Sequence, residues 1–416
     1  MGQVFIGQAA VPTTDTTLDI TASGMTGNPQ AVELWMARAT ANDTATTHGA
    51  MCSGATDGTN QFVIAHGSVD SANPTNTHRR FSSSACLAMM DNTGSGTFDG
   101  EMEFDSWIEG GVRLDVLSAN TFSSAWLVTA VFYQGFDNVD VGNFTIPTTA
   151  ASPLSVSMGF QPNVVKTFSA MTDTITTGSS IAKSCYGFTV DSGGITEHCL
   201  STIGEDNVSP SSKRNYLSAT DSFRFWSDAG SQNSEGGISA FGSDGFDFTT
   251  TDGGAEGLEI CYLAIDTGTQ AVSLNTHTMP TSTGNDIRSG LSFMPSSVHY
   301  ITHRKTNQNT QSTNNRASAI GLAAFTSTQT GSVATNDRDN STAAESSSGT
   351  SNANIVTMDF NTTIEASGSL VSMNPDGYTI NWASVDTAWL ISELAFEDEG
   401  GGSVNKRSRG LLLEVG

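Results

Sequence analysis

The residues best placed for chemistry are carboxylates. Asp99, Glu101, Glu103 and Asp105 alternate along one segment, with Met102 and Phe104 between them. On a strand, alternate residues share a face, so the four carboxylates would line one side, where they could bind Ca2+ or act in pairs as acid and base on a glycoside. The solvated outer face of a sheet gives the same pattern, and no matching ladder recurs downstream. His299 and His303 are four apart, but Val298-His-Tyr-Ile-Thr-His303 has the composition of a strand, which puts Ile301 on the same face. Half-buried strand histidines therefore fit better than metal ligands. The chain has no P-loop, Rossmann glycine pattern, G-x-S-x-G elbow or H-E-x-x-H. A non-enzymatic protein with no catalytic residue, metal or cofactor is expected.

Cations are scarce, with 17 Lys and Arg against 42 Asp and Glu and a formal net charge of −25. That surface repels nucleic acid and anionic membrane, and no apolar run approaches the ~20 residues that span a bilayer. His78-Arg79-Arg80 aligns near Lys213-Arg214, with Arg338 as a third counterpart. Such arginines would pair with acidic neighbours within or between domains; a sugar-binding arginine is the sharper alternative. Trp35 and Trp226 are expected in the core, sugar stacking being their functional alternative. The cysteines at 52, 86, 185, 199 and 261 show no CxxC spacing. Cys52 and Cys185 align with Ala319, which a ligand or disulfide partner would not allow, so buried reduced thiols are expected. The amino end lacks the basic region and long apolar core of a secretory signal.

The elements that position these residues are read from a repeat. Pro29, Pro162 and Pro295 are 133 residues apart, each followed three residues later by a valine, Val32, Val165 and Val298. Val11-Pro-Thr, Ile146-Pro-Thr and Met279-Pro-Thr stand upstream of them. Asp244-Gly245-Phe246 and Asp376-Gly377-Tyr378, with a fainter Gly110-Gly111, precede the apolar runs that close each copy. Short segments rich in β-formers, separated by Gly, Asn, Asp and Ser, argue for sandwiches. The expected fold is all-β: three tandem β-sandwich, jelly-roll-like domains at 1–141, 142–274 and 275–398, abutting like beads. Only His78 to Met90 is read as a possible short helix. Thr326 to Asn354, almost wholly Ser, Thr, Asn, Gly, Ala and Asp, is expected as an exposed loop or a weakly ordered strand pair. Residues 399–416 read as a docking tail, glycines leading to Lys406, Arg407 and Arg409 and then to Leu411, Leu412 and Leu413.

The repeated apolar-x-Pro-x-x-Val element, as in Gly159-Phe-Gln-Pro-Asn-Val-Val165 and Phe293-Met-Pro-Ser-Ser-Val298, together with Asp244-Gly-Phe246 and Asp376-Gly-Tyr378, resembles tailed-bacteriophage virion proteins built from tandem β-sandwiches. Copy one departs from the pattern, with Gly27-Asn28 in place of the Gly-Phe pair. The resemblance implies a structural protein of the virion, made in the host cytoplasm. It would be a tail-fibre or receptor-binding component, with capsid-surface decoration or a head fibre as the alternative, and it brings no catalytic residues. Its implied partners are other virion proteins, met through the tail, and a host surface glycan, with a homotrimer favoured. A free carbohydrate-binding adhesin or lectin is the reading from another class.

Overall fold

The computed structural model describes residues 2–398 apart from 94, 118–120, 147–152, 173–178, 228–231, 253–257, 305, 311–317, 360–362 and 386–387. Among the described residues there is no helix, and the strands fall into three units. The first contains β1 (Gln3–Ala10), β2 (Leu18–Thr21), β3 (Ala31–Ala37), β4 (Thr46–Thr47), β5 (Gly49–Thr56), β6 (Gln61–Ser68), β7 (Thr77–Ser82), β8 (Leu87–Met90), β9 (Phe98–Ile108), β10 (Gly111–Val116) and β11 (Leu127–Gln134). The second contains β12 (Asn138–Thr145), β13 (Leu154–Ser157), β14 (Val164–Ser169), β15 (Ser179–Ser180), β16 (Ala182–Asp191), β17 (Ile195–Gly204), β18 (Lys213–Ser218), β19 (Phe223–Trp226), β20 (Gln232–Gly242), β21 (Gly245–Asp252) and β22 (Glu259–Asp266). The third contains β23 (Val272–Thr278), β24 (Gly284–Ser289), β25 (Pro295–His303), β26 (Ser318–Thr326), β27 (Thr330–Asp337), β28 (Ser346–Ser351), β29 (Ile355–Asp359), β30 (Thr363–Asn374), β31 (Gly377–Ser384) and β32 (Leu390–Glu397).

Each unit is a sandwich of a six-stranded and a four-stranded antiparallel sheet, with one strand order. The large sheets run β1-β11-β3-β5-β6-β7, β12-β22-β14-β16-β17-β18 and β23-β32-β25-β26-β27-β28. The small ones run β2-β10-β9-β8, β13-β21-β20-β19 and β24-β31-β30-β29. The chain alternates between the two sheets at both ends of a unit, as in β1, β2 and β3 and in β10 and β11, and runs as meanders between them, β5-β6-β7 in the large sheet and β8-β9-β10 in the small one. Equivalent positions are not held at one spacing. The prolines are 133 apart, but Thr77, Lys213 and Ser346, which share one register position, are 136 and then 133 apart, because the hairpin loops differ in length. The boundaries expected at 141/142 and 274/275 fall inside β12 and β23, the first strands of the second and third large sheets.

Burial explains the sequence pattern. Several small-sheet strands alternate, as in β24, where intermediate and exposed residues follow each other along the whole strand, although β8 and β19 are buried at every residue. Large-sheet strands such as β3, β5 and β14 are buried at every residue, because both of their faces are covered. One face packs on the unit's own small sheet, with Val32, Leu34 and Met36 in the first core. The other packs on the other two units: Trp35, Phe168 and Ile301 belong to one central cluster drawn from all three. The units are therefore not beads; they share a core. Pro29, Pro162 and Pro295 are buried at the entries of β3, β14 and β25, and Val32, Val165 and Val298 are fully buried in the sandwich cores.

His78 to Met90 forms β7 and β8, not a helix. The Ser/Thr-rich stretch from Thr326 is neither exposed nor loose: β27 and β28 are almost wholly buried against the first unit, and their hydroxyls are bonded, as in Thr350 to the Ser332 carbonyl at 2.9 Å. Small hydroxylated side chains suit a close interface when each hydroxyl finds an acceptor. The position of Cys52 and Cys185 is taken in the third unit by Gly321, not Ala319, since Met36, Ser169 and Thr302 are their cross-strand partners. All five cysteines are buried and free.

Gly111, Gly245 and Gly377 open β10, β21 and β31 against a neighbouring backbone. A Cβ there would lie 2.0, 1.8 and 2.0 Å from the carbonyl oxygens of Ile20, Val156 and Arg288. Gly245 and Gly377 also have φ of 153° and 146°, where side chains are strained. Gly377→Ala is expected to lower stability by about 2 kcal/mol or more, read from the urea midpoint; an unchanged midpoint would refute the close approach.

Candidate functional site on the pseudo-three-fold axis

The three large sheets face one axis, and the residue four places after each proline stands on it: Glu33, Lys166 and His299. Their equivalence is set by register, since they pair with Val131, Leu263 and Leu394 in matching strands. Lys166 Nζ bonds Glu33 Oε2 and lies 3.2 Å from the Tyr133 hydroxyl and 3.5 Å from His299 Nδ1. Tyr133 donates to Glu33 Oε2 at 3.0 Å, and the Trp35 indole donates to Oε1 at 2.6 Å. The ammonium sits near the faces of Trp35 and Phe188, 5.6 and 5.4 Å from the ring centroids, which favours the cation. Burial pulls Lys166 below its usual pKa while Glu33 pushes back. Burial, then the Lys166 charge, hold His299 well below its usual range, so it is neutral. His299 and His303 are therefore fully buried, not half-buried. A small cavity, about 10 Å3, remains beside Glu33, Lys166 and His299.

At one end of the axis the β6–β7, β17–β18 and β27–β28 loops interlock in a cycle. Asp206 accepts from the Thr77 N–H, Asp339 from Lys213 and Asp70 from Ser346, at 2.9, 2.8 and 3.0 Å. Asn207, Asn340 and Ser71, all left-handed, donate to the carbonyls of Thr75, Ser211 and Ala344 at 2.8, 2.7 and 2.6 Å. Thr75, Ser211 and Ala344 donate back to Val208, Ser341 and Ala72 at 3.0, 2.8 and 2.9 Å. Short strands follow the same cycle: β15 of unit two extends unit one at β7, and β4 of unit one extends unit three at β28. At the third seam Asn309 donates to Leu217 on β18 at 2.8 Å. Each unit grips the one before it, and three such head-to-tail contacts close.

The other end differs. Gln270 Nε2 donates to the carbonyls of Gly2 and Glu397 at 3.0 and 2.6 Å. Phe136 packs on Phe396, 5.8 Å between centroids. Asp398, the last described residue, lies here. Lys406, Arg407, Arg409 and Leu411 to Leu413 lie outside the described residues.

The carboxylate ladder of β9 lies on the outer face of the first small sheet, where Asp99 accepts from the Ser123 N–H at 2.9 Å. No group of three metal-ligating side chains occurs among the described residues. The cations do not form the set read from sequence. Arg80 stacks over Phe98 at 4.2 Å, Arg214 lies 4.0 Å from Glu205 and Arg338 lies 2.7 Å from Glu345. Arg338 is not the counterpart of Lys213-Arg214, because Ser346 takes Lys213's register position. Arg79 instead crosses to unit two, bonding the carbonyls of Met171, Ser180 and Ile181. Trp35 and Trp226 are buried. The axial trio matches no catalytic or metal-binding motif; its mark in the sequence is one ionisable residue four places after each proline, on an otherwise apolar strand.

Fold and axis together define an all-β chain that closes three sandwiches into one pseudo-three-fold ring. Compared with known proteins, the chain matches no family model and no curated sequence.

Proposed function

We propose that the chain is a non-enzymatic structural component of a tailed-phage virion, of the tail-fibre or receptor-binding type, acting as one ring per attachment point. What carries this reading is the polarity of the axis. Chain leading to the basic, leucine-containing tail leaves from the end where Gly2 and Glu397 meet, while the opposite end presents uncharged loop tips, with Asn73, Ser209 and Thr342 exposed at equivalent places. A ring held by buried seams suits a part that must survive outside a cell, and three similar tips allow weak contacts to add. Three-fold geometry is supplied within one chain, so a homotrimer is not required for it.

Deleting residues 399–416 is expected to leave the ring folded and to abolish incorporation into particles. Incorporation of the truncated chain at wild-type level would remove the tail from the attachment role.

A further inference from the structure

Between its two sheets the third unit holds a polar network where the other units hold core. The network comprises His277 on β23, Asp286 and Arg288 on β24, Tyr300 on β25, Tyr378 on β31 and Glu393 on β32. Strand register places Ala9, Leu18, Ile20, Leu34, Val112 and Ala130 at these six positions in unit one. In unit two four of them are Phe144, Leu154, Val156 and Phe246, and the remaining two are Thr167 and Tyr262. Unit one closes its sandwich with none of these polar groups, and unit two with only a threonine and a tyrosine among them, so closure does not need the charged residues, whose burial works against stability.

The groups form two sets, Tyr300, Tyr378, Glu393 and His277 in one and Asp286 with Arg288 in the other. Tyr378 donates to Glu393 Oε2, and the Tyr300 and Tyr378 hydroxyls are 2.5 Å apart. His277 Nδ1 lies 3.1 Å from Glu393 Oε2. Arg288 Nη2 lies 2.5 Å from Asp286 and donates to the Thr278 carbonyl at 2.7 Å. Exposure falls inward from the open edge made by β23 and β24, from 19% for the Asp286 and Arg288 side chains to 11% for His277 and 4% for Glu393. His277 Nε2 and Arg288 Nε are buried and have no hydrogen-bond partner. A polar group that is buried and unused is what a ligand can satisfy.

We propose that this edge of the third unit, and not of the other two, is a binding site for a neutral, hydroxyl-rich ligand, a carbohydrate. Asp286 and Arg288 balance each other's charge. An anion would meet Asp286 and Glu393, and a cation would meet Arg288. A sugar hydroxyl both donates and accepts, which fits an unpartnered guanidinium Nε–H and the unpartnered Nε2 of an imidazole that burial keeps neutral. Naming the sugar as part of a host surface rests on the virion reading; the site itself does not.

The test is saturation-transfer NMR on the full chain with glucose, galactose and mannose at millimolar concentration. The wild type and the variants Arg288→Ile and Asp286→Leu, which install unit one's residues, are compared, with His277→Ala in reserve should either fail to fold. At least one sugar is expected to give signal in the wild type, weakened tenfold or more in folded variants. No signal from any of the three sugars, or signal unchanged in the variants, overturns the site. Particle incorporation is read separately: variants that incorporate normally but lose sugar support the site, whereas failure of the wild type to incorporate counts against the virion reading alone.

Discussion

Lys166→Met is expected to destabilise the protein by about 3–5 kcal/mol, because it leaves the Glu33 carboxylate buried on the axis without its cation. The side chains of the pair are 2% and 1% exposed, so water cannot take the lysine's place. Glu33→Gln combined with Lys166→Met should recover most of that loss, since the amide oxygen can still accept from Trp35, its NH2 can donate to the Tyr133 hydroxyl oxygen, and no bare charge remains. The coupling is read from the urea midpoints of the four proteins in a double-mutant cycle. Additive effects would show that the two groups do not depend on each other. The same trio sets the order of the ring. With Glu, Lys and His one each, the axis is neutralised only when three different units meet; exchange of like units between chains would set carboxylate on carboxylate or ammonium on ammonium.

The second large effect is acid sensitivity. His48, His66, His78, His198 and His299 all lie at contacts between units. His48 donates from its backbone to Ser346 and His78 pairs with Ser180; His198 meets Thr276 and His299 meets Lys166. His66 lies in the field of Asp337 and Lys213. Burial is the largest cause of a lowered pKa in each, reaching about 4 for His66 and about 4 for His198. A histidine whose folded pKa is depressed is protonated first in the unfolded chain, so acid favours unfolding. The loss begins below the unfolded value near 6.5 and levels off at the folded value near 4. His66 and His198 alone account for about 3 kcal/mol each across that window, together comparable with the net stability of a domain. Circular dichroism and scattering should show the ring opening between pH 6 and 4. A urea midpoint independent of pH over that range would mean the seams do not carry these histidines neutral.

Much of the strand content was legible because β-formers and turn residues alternate at short intervals, and the prolines marked the central strands of all three units. What was hidden depended on what covers a strand. The Ser, Thr and Gly residues of β27 and β28 look solvent-facing until the first unit is placed on them. Glu33, Lys166 and His299 look like stray polar residues until their strands meet on one axis. The network of the third unit was concealed for a related reason: its members come from five strands, and only register shows that Ile20 and Val156 stand where Arg288 does. The carboxylate ladder, the most conspicuous pattern in the sequence, proved to be the outer face of a sheet.

Electron cryo-microscopy of particles from the source culture tests the central claim most directly. Density is expected on the virion as one ring of three similar lobes per chain, with the Gly2 and Glu397 end toward the particle and the loops of Asn73, Ser209 and Thr342 outward. Particles without such density, with the protein found only free in the medium, would contradict the virion assignment.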